Sequence, residues 1–233
     1  MGSEKGTPLW KALLFKRRLP GRYQNFIKNL PFKILKITKQ DINYFYDEKF
    51  ATDWRRNKKF SGDLCDFILK EFNPKSVIDF GCGTGDILAP FEKRGIEILG
   101  IDGSKANKKY SRIHKDNFLL FDLRKKCTCQ KKYDLCICLE VAEHIEEAYS
   151  DVLIKNLVSS SSTIVFTAAP PGQGGVDHYN EKPFAWWIQK FKEHGFKFDE
   201  QCTVRLKQQW ARIPDIYPFY VDNLMIFRKE HPT

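Results

Sequence analysis

Residues 79–88, DFGCGTGDIL, carry the strongest structural signal in this chain. Gly81, Gly83 and Gly85 alternate with other residues just after the β-branched pair Val77 and Ile78, so a short apolar strand runs into a turn of unusual backbone freedom. Glycines in that place let the backbone approach a ligand in the crevice above the ends of parallel strands. A phosphate-cradling P-loop needs Lys and Ser/Thr after its last glycine, and here Asp86 and Ile87 follow. A dinucleotide fingerprint spaces its glycines G-x-G-x-x-G, whereas these read G-x-G-x-G, and Asp86 sets a negative charge where a pyrophosphate would lie. The ligand that suits a turn bracketed by Asp79 and Asp86 carries positive charge and no phosphate.

On either side, short runs rich in Val, Ile and Phe alternate with helical patterns. The runs are KSVIDFG at 75–81, IEILGID at 96–102, NFLLFDL at 117–123, YDLCICL at 133–139, STIVFTAA at 162–169, VRLKQQ at 204–209 and NLMIFRK at 223–229. Helices are expected over 59–72, 87–94, 104–115, 143–158 and 183–193, the first stopped by Asn73-Pro74 and the last by Gly195. Alternation of this kind implies a Rossmann-like, doubly wound α/β fold with a mostly parallel seven-stranded sheet. A basic, helical N-terminal extension over 1–57 precedes the main domain at 58–233.

Of the net charge of +10, nearly all lies in residues 1–40, which hold ten Lys and Arg against Glu4 alone. Such an arm suits RNA, a phosphorylated substrate or an anionic membrane surface, and its interleaved apolar residues fit an interfacial segment; a solvated extension explains it equally. No apolar run is long enough to span a membrane. Seven cysteines without a leader pattern point to a reduced, cytoplasmic compartment. Cys127, Cys129, Cys136 and Cys138 invite a zinc reading, but Cys136 and Cys138 share one face of an expected buried strand, where free cysteine is common core.

The ordered set VIDFGCGTG, LGIDGS, LFDL and YDLCICLEVAEHI, over about residues 75–195, resembles the motifs of class I S-adenosylmethionine-dependent methyltransferases. That resemblance implies S-adenosylmethionine as cofactor. It places Asp79 at the amino-acid end, Gly81, Gly83 and Gly85 along its path, Asp102 on the ribose hydroxyls, Asp122 beside the adenine and Leu139 at the fourth-strand wall. Arg56, in the group Trp54-Arg55-Arg56, stands where relatives bring a basic residue to the cofactor carboxylate. Singly, a glycine serving a tight turn or an aspartate capping a helix accounts for each position.

In EVAEHI, Glu140, Glu143 and His144 fall at i, i+3 and i+4, on one face if the segment is helical. Together with His178, from the pliable stretch PPGQGGVDHYNEKP, they form a candidate ligand set for Mg2+, Mn2+ or Zn2+. Glu140, His144 and His178 are the candidate catalytic groups, with His178 as general base or further ligand. The E-x-x-E-H pattern is similar to that of quinone-biosynthesis O-methyltransferases and of enzymes that methylate the 2′-hydroxyl at small-RNA 3′ ends. The competing account has the two acids favouring a helix N-terminus while both histidines are polar surface. The Asn/Asp-Pro-Pro-aromatic run of several N-methylating relatives is replaced by Leu139-Glu140-Val141-Ala142. HYNEKPFAWWIQKFKEHGF resembles glycan-pathway methyltransferases, with Trp186 and Trp187 as a sugar-stacking face or as core. The expectation is therefore O-methylation of a sugar, glycan or other small polar acceptor. The alternatives are RNA ribose 2′-O-methylation and a non-catalytic nucleic-acid or membrane-binding protein on the same scaffold.

Overall fold

The computed structural model describes residues 60–128, 131–175 and 177–230. The basic arm, Arg56 and its neighbours, the boundary at 57–58 and Cys129 lie outside the described residues. The order is α1 (Ser61–Phe72), β1 (Ser76–Phe80), α2 (Ala89–Lys93), β2 (Glu97–Asp102), α3 (Lys105–Lys109), β3 (Phe118–Leu120), β4 (Leu135–Leu139), α4 (Ser150–Ser160), β5 (Thr163–Thr167), α5 (Phe184–Lys192), β6 (Phe196–Phe198), α6 (Glu200–Trp210), α7 (Pro218–Asp222) and β7 (Met225–Lys229). The strands form one sheet in the order β3-β2-β1-β4-β5-β7-β6. β1 to β5 run parallel, and β7 is antiparallel to both its neighbours. Strand order reverses between β1 and β4, so a crevice opens above their carboxyl ends.

β1 and β4 are buried along their whole length, which explains their unbroken apolar runs. Their register is pinned at the start: Asp134 accepts the backbone N–H groups of Lys75 at 2.7 Å and Ser76 at 3.0 Å, while its own N–H donates to the Ser76 hydroxyl at 3.0 Å. Asp79 then lies opposite Ile137, near the strand ends. One apolar layer joins Leu64, Ile68, Leu206, Trp210 and Tyr220, and the other joins Leu153, Leu157, Trp187, Phe191 and Phe227. Cys136 and Cys138 are wholly buried in the second layer, the core role rather than the zinc one. Among the described residues, no helix is long and apolar enough to cross a membrane.

Three expectations are corrected. VRLKQQ, expected as a strand, lies inside α6, because the Asp199 side chain caps that helix by accepting the Cys202 N–H at 3.0 Å and the buried Cys202, Leu206 and Trp210 follow a helical period. The sixth strand is Phe196–Phe198 instead. The helix expected over 104–115 ends at Lys109, since the chain turns back and the Arg112 N–H donates to the Thr84 carbonyl at 2.8 Å. The segment 143–158 begins as two 3-10 turns, Ala142–His144 and Glu147–Tyr149, before α4.

Phe166 of β5 packs 5.3 Å from the rings of both Trp187 and Phe191, which in turn stacks on Phe227 at 3.8 Å. Phe166→Ala is expected to cost about 3–5 kcal/mol in urea unfolding; a loss below ~1 kcal/mol would show that this cluster does not hold β5 against α5.

Candidate active site

The glycine turn leaves β1 with Gly81, Gly83 and Gly85 at φ of 81°, 57° and 78°. Gly81 is doubly constrained: it adopts a left-handed conformation, and a Cβ there would fall within 2.8 Å of Val141 Cγ1. The Gly81 and Cys82 N–H groups donate to the Ile101 carbonyl at 2.7 and 3.1 Å, fastening the turn to the end of β2. There the buried Asp102 accepts the Gly83 N–H at 2.9 Å through Oδ2, and the Ser104 N–H at 2.8 Å and Asn107 side-chain amide at 3.1 Å through Oδ1. Asp79 is buried near the end of β1, and Leu139 closes β4.

Asp86 departs from its expected part. Its side chain is 1% exposed and faces inward, accepting from the Thr84 hydroxyl and from Arg112 Nη1 at 2.8 Å. Its charge is balanced inside the protein, so it is no open counter-charge for a cationic ligand. Asp122, past β3, accepts the Arg124 side chain at 2.9 and 3.0 Å and the Arg124 N–H at 3.0 Å. Burial works against its ionisation, yet Arg124 outweighs it and holds this carboxyl below the usual range.

Glu140 adopts φ of 54°, a left-handed conformation that ends β4 and prevents the helix that would have put Glu140, Glu143 and His144 on one face. Its N–H donates to the Thr167 hydroxyl at 2.8 Å. Its carboxylate accepts Asn223 Nδ2 at 3.0 Å on one oxygen and Gln173 Nε2 at 3.0 Å on the other, and Asn223 also donates to Gln173 Oε1 at 2.8 Å. Glu140 thus sits in a ring of two carboxamides.

Glu143, His144 and His178 converge instead, with one ligand-type atom of each lying within 4.8 Å of the others. Glu143 is completely buried, and neither carboxylate oxygen has a hydrogen-bond partner among the described residues. Burial, reinforced by the nearby Glu140 charge, pushes its carboxyl well above the usual range. His144 falls to about 4 through burial and then the neighbouring His178, so it is neutral at physiological pH. Its Nδ1 lies 3.2 Å from the Asp177 carbonyl, which only accepts, so Nδ1 carries the proton and Nε2 the lone pair. His178 places Nδ1 3.0 Å from Glu181, a carboxylate kept ionised against burial by the Gly172 N–H at 2.8 Å, by His178 and by the Gly174 N–H at 2.7 Å. The two imidazoles meet edge to face with centroids 4.8 Å apart. Two imidazoles, His144 held neutral and His178 oriented by Glu181, beside a buried carboxylate with no partner among the described residues are a donor set fit for a divalent cation.

The site also uses groups not singled out by sequence. Glu181 had a signal, H-x-x-E from His178. Asn223 had none, since it meets Glu140 across 83 positions. Tyr220 is buried on the same side, its phenol kept neutral by burial and then by the field of Glu140, Asp79 and Glu143. Trp186 and Trp187 do not form an open sugar platform, because Trp187 is fully buried and Trp186 lies between Lys182 and Lys190 at 5.4 and 5.5 Å.

A family model described as a methyltransferase domain matches residues 52–202. The chain belongs to the methyltransferase domain family. It is 36% identical over 142 residues to a ubiquinone biosynthesis O-methyltransferase of Rickettsia typhi, covering 52% of this chain and 56% of that protein. A protein of the same name from Rhodopseudomonas palustris is 32% identical over 88 residues, 32% of this chain and 35% of that one. The chain therefore spans about half the length or less of these curated relatives. Among solved structures, a TehB-like S-adenosylmethionine-dependent methyltransferase from Corynebacterium glutamicum superposes with a TM-score of 0.54 at 17% identity, over 78% of this chain and 97% of that one. The plantazolicin methyltransferase in complex with S-adenosylhomocysteine gives 0.55 at 16%, over 78% and 90%. These two likenesses establish the Rossmann-like methyltransferase fold.

Gly175 faces the His178 ring so closely that an added Cβ would lie within 2.6 Å of Cδ2 and Cε1. Gly175→Ala is expected to drive the imidazole off Glu181, seen as loss of the hydrogen-bonded Nδ1 signature in histidine-selective nitrogen NMR; an unchanged His178 spectrum would show that the loop gives way instead.

Proposed function

We propose that this chain transfers a methyl group from S-adenosylmethionine to a hydroxyl oxygen of a small polar acceptor, with a divalent cation held by Glu143, His144 and His178. The observation that carries the reading is the convergence of those three side chains one turn from Val141, whose side chain presses on Gly81. Donor turn and cation site thereby share one wall. The relatives' printed name supports oxygen as the atom methylated.

In this reading the glycine turn passes under the donor. Asp102, fixed by three N–H contacts, is the residue that accepts the ribose hydroxyls, and Asp79 faces the amino-acid end. Asp122 flanks the adenine with Arg124 behind it. Donor and acceptor so placed gain chiefly from in-line proximity. A cation at the three-residue cluster would acidify the acceptor hydroxyl. Two imidazoles with one carboxylate favour Mn2+ or Zn2+ over Mg2+, which prefers carboxylate and water oxygens. Glu140, engaged by Gln173 and Asn223, shapes the acceptor side of this site, with Tyr220 beside it. A sugar acceptor loses the support of the tryptophan pair, and an RNA acceptor rests on the basic arm alone.

Calorimetry is expected to show S-adenosylhomocysteine binding that Asp102→Ala weakens at least tenfold, since a buried acceptor of ribose hydroxyls is removed; equal affinity would end the cofactor assignment. Mn2+ titrated into chelator-treated protein should bind with a defined spin-resonance spectrum that Glu143→Gln abolishes. Labelled methyl transfer to hydroxylated acceptors that proceeds undiminished in excess chelator would remove the cation from the mechanism.

A further inference from the structure

The turn that follows α3 has no part in the chemistry, yet it touches the glycine turn at every level. Ile113, buried at 4% exposure, fills the space beside two glycines: a Cβ on Gly85 would lie 3.1 Å from its side chain, and one on Gly100 would lie 3.0 Å from it. Ser111 shapes the turn, donating its hydroxyl to the Ile113 carbonyl at 3.0 Å and accepting the Ile113 N–H at 3.2 Å. Arg112 then makes two contacts with the glycine stretch. Its N–H donates to the Thr84 carbonyl at 2.8 Å, and its Nη1 reaches Asp86 Oδ1 at 2.8 Å. Asp86 is 1% exposed at the side chain, while Arg112 is 46% exposed. The other Asp86 oxygen takes the Thr84 hydroxyl, a neutral donor, so Arg112 supplies the positive charge that this buried carboxylate receives among the described contacts.

We propose that Arg112 is a positioning residue for the methyl donor: by neutralising the buried Asp86 and holding Thr84, it fixes the backbone of residues 83–86 in the shape that accepts S-adenosylmethionine. The proposal rests on the donor site named above and adds a residue outside it. Removing one partner of a buried ion pair strands the other, and that penalty exceeds what the intact pair contributes. Here the stranded charge would sit in the donor turn itself, and the turn would relax to bring Asp86 to water, carrying Gly83 and Gly85 with it.

The test is S-adenosylhomocysteine binding by calorimetry to the full chain and to four variants. Arg112→Met is expected to bind at least tenfold more weakly than wild type. Arg112→Lys, which keeps the charge, should recover most of that loss. Asp86→Asn combined with Arg112→Met, which removes the stranded charge, should return to within about threefold of wild type. Should Arg112→Met not fold, Thr84→Val keeps the ion pair, drops one contact to Asp86 and is expected to weaken binding severalfold. Wild-type affinity in a folded Arg112→Met, no recovery in the double variant, or an unaffected Thr84→Val would each overturn the proposal while leaving the donor site standing. Failure of the wild-type chain itself to bind would instead remove the donor site, and this proposal with it.

Discussion

The shape of the crevice depends on one steric contact, Val141 against Gly81. β1 and β4 are neighbours in the sheet, and both turn sharply where the crevice opens. β1 does so through a glycine at φ of 81°, β4 through Glu140 at φ of 54°. A left-handed conformation is costly for glutamate, and it persists because its N–H is held by Thr167 and its carboxylate by Gln173 and Asn223. The consequence of that bend is that Val141 folds onto the glycine turn while Ala142–His144 closes into a 3-10 turn behind it. Any side chain at position 81 would separate the two turns and, with them, the glycine turn from the Glu143, His144 and His178 cluster.

The second constraint is electrostatic. Glu143 is completely buried with no hydrogen-bond partner for either oxygen among the described residues, an arrangement whose ionised form costs several kcal/mol unless a positive partner is near. Of its neighbours, His144 is held neutral and Glu140 adds negative charge. Both histidines place Nδ1 against an acceptor, the Asp177 carbonyl for His144 and Glu181 for His178. For His144, held neutral, that contact leaves the lone pair on Nε2.

The fold was legible because burial on both faces writes itself into the sequence as unbroken apolar runs, as at Val77–Ile78 and Leu135–Leu139. Period misled where composition was mixed: Val204–Gln209 reads as a strand, although Asp199 and the spacing of Cys202, Leu206 and Trp210 make it helical. The cation-type cluster was half legible. His144 and Glu143 adjoin in sequence and His178 stood in a glycine-rich loop, but the helix assumed for Glu140–His144 could not survive the left-handed bend at Glu140. The bend itself depends on Asn223 and Gln173, which reach Glu140 from other parts of the chain and leave no local pattern.

The acidic residues of the crevice call for a different account from simple charge pairing with a cationic donor. Asp86 is consumed by Thr84 and Arg112, Asp122 by Arg124, and Asp102 accepts three N–H groups of its own turn and the following helix. Their first role is to fix backbone. Oxygens held in this way are already immobile, so no ordering cost remains for them to meet. Exclusion of a pyrophosphate from the glycine stretch then follows from shape as much as from sign: the Gly81 and Cys82 N–H groups are spent on Ile101, the Gly83 N–H on Asp102 and the Gly85 N–H on Cys82, so none of these four is left to receive one. The same fastening takes up N–H groups on which a dinucleotide would depend.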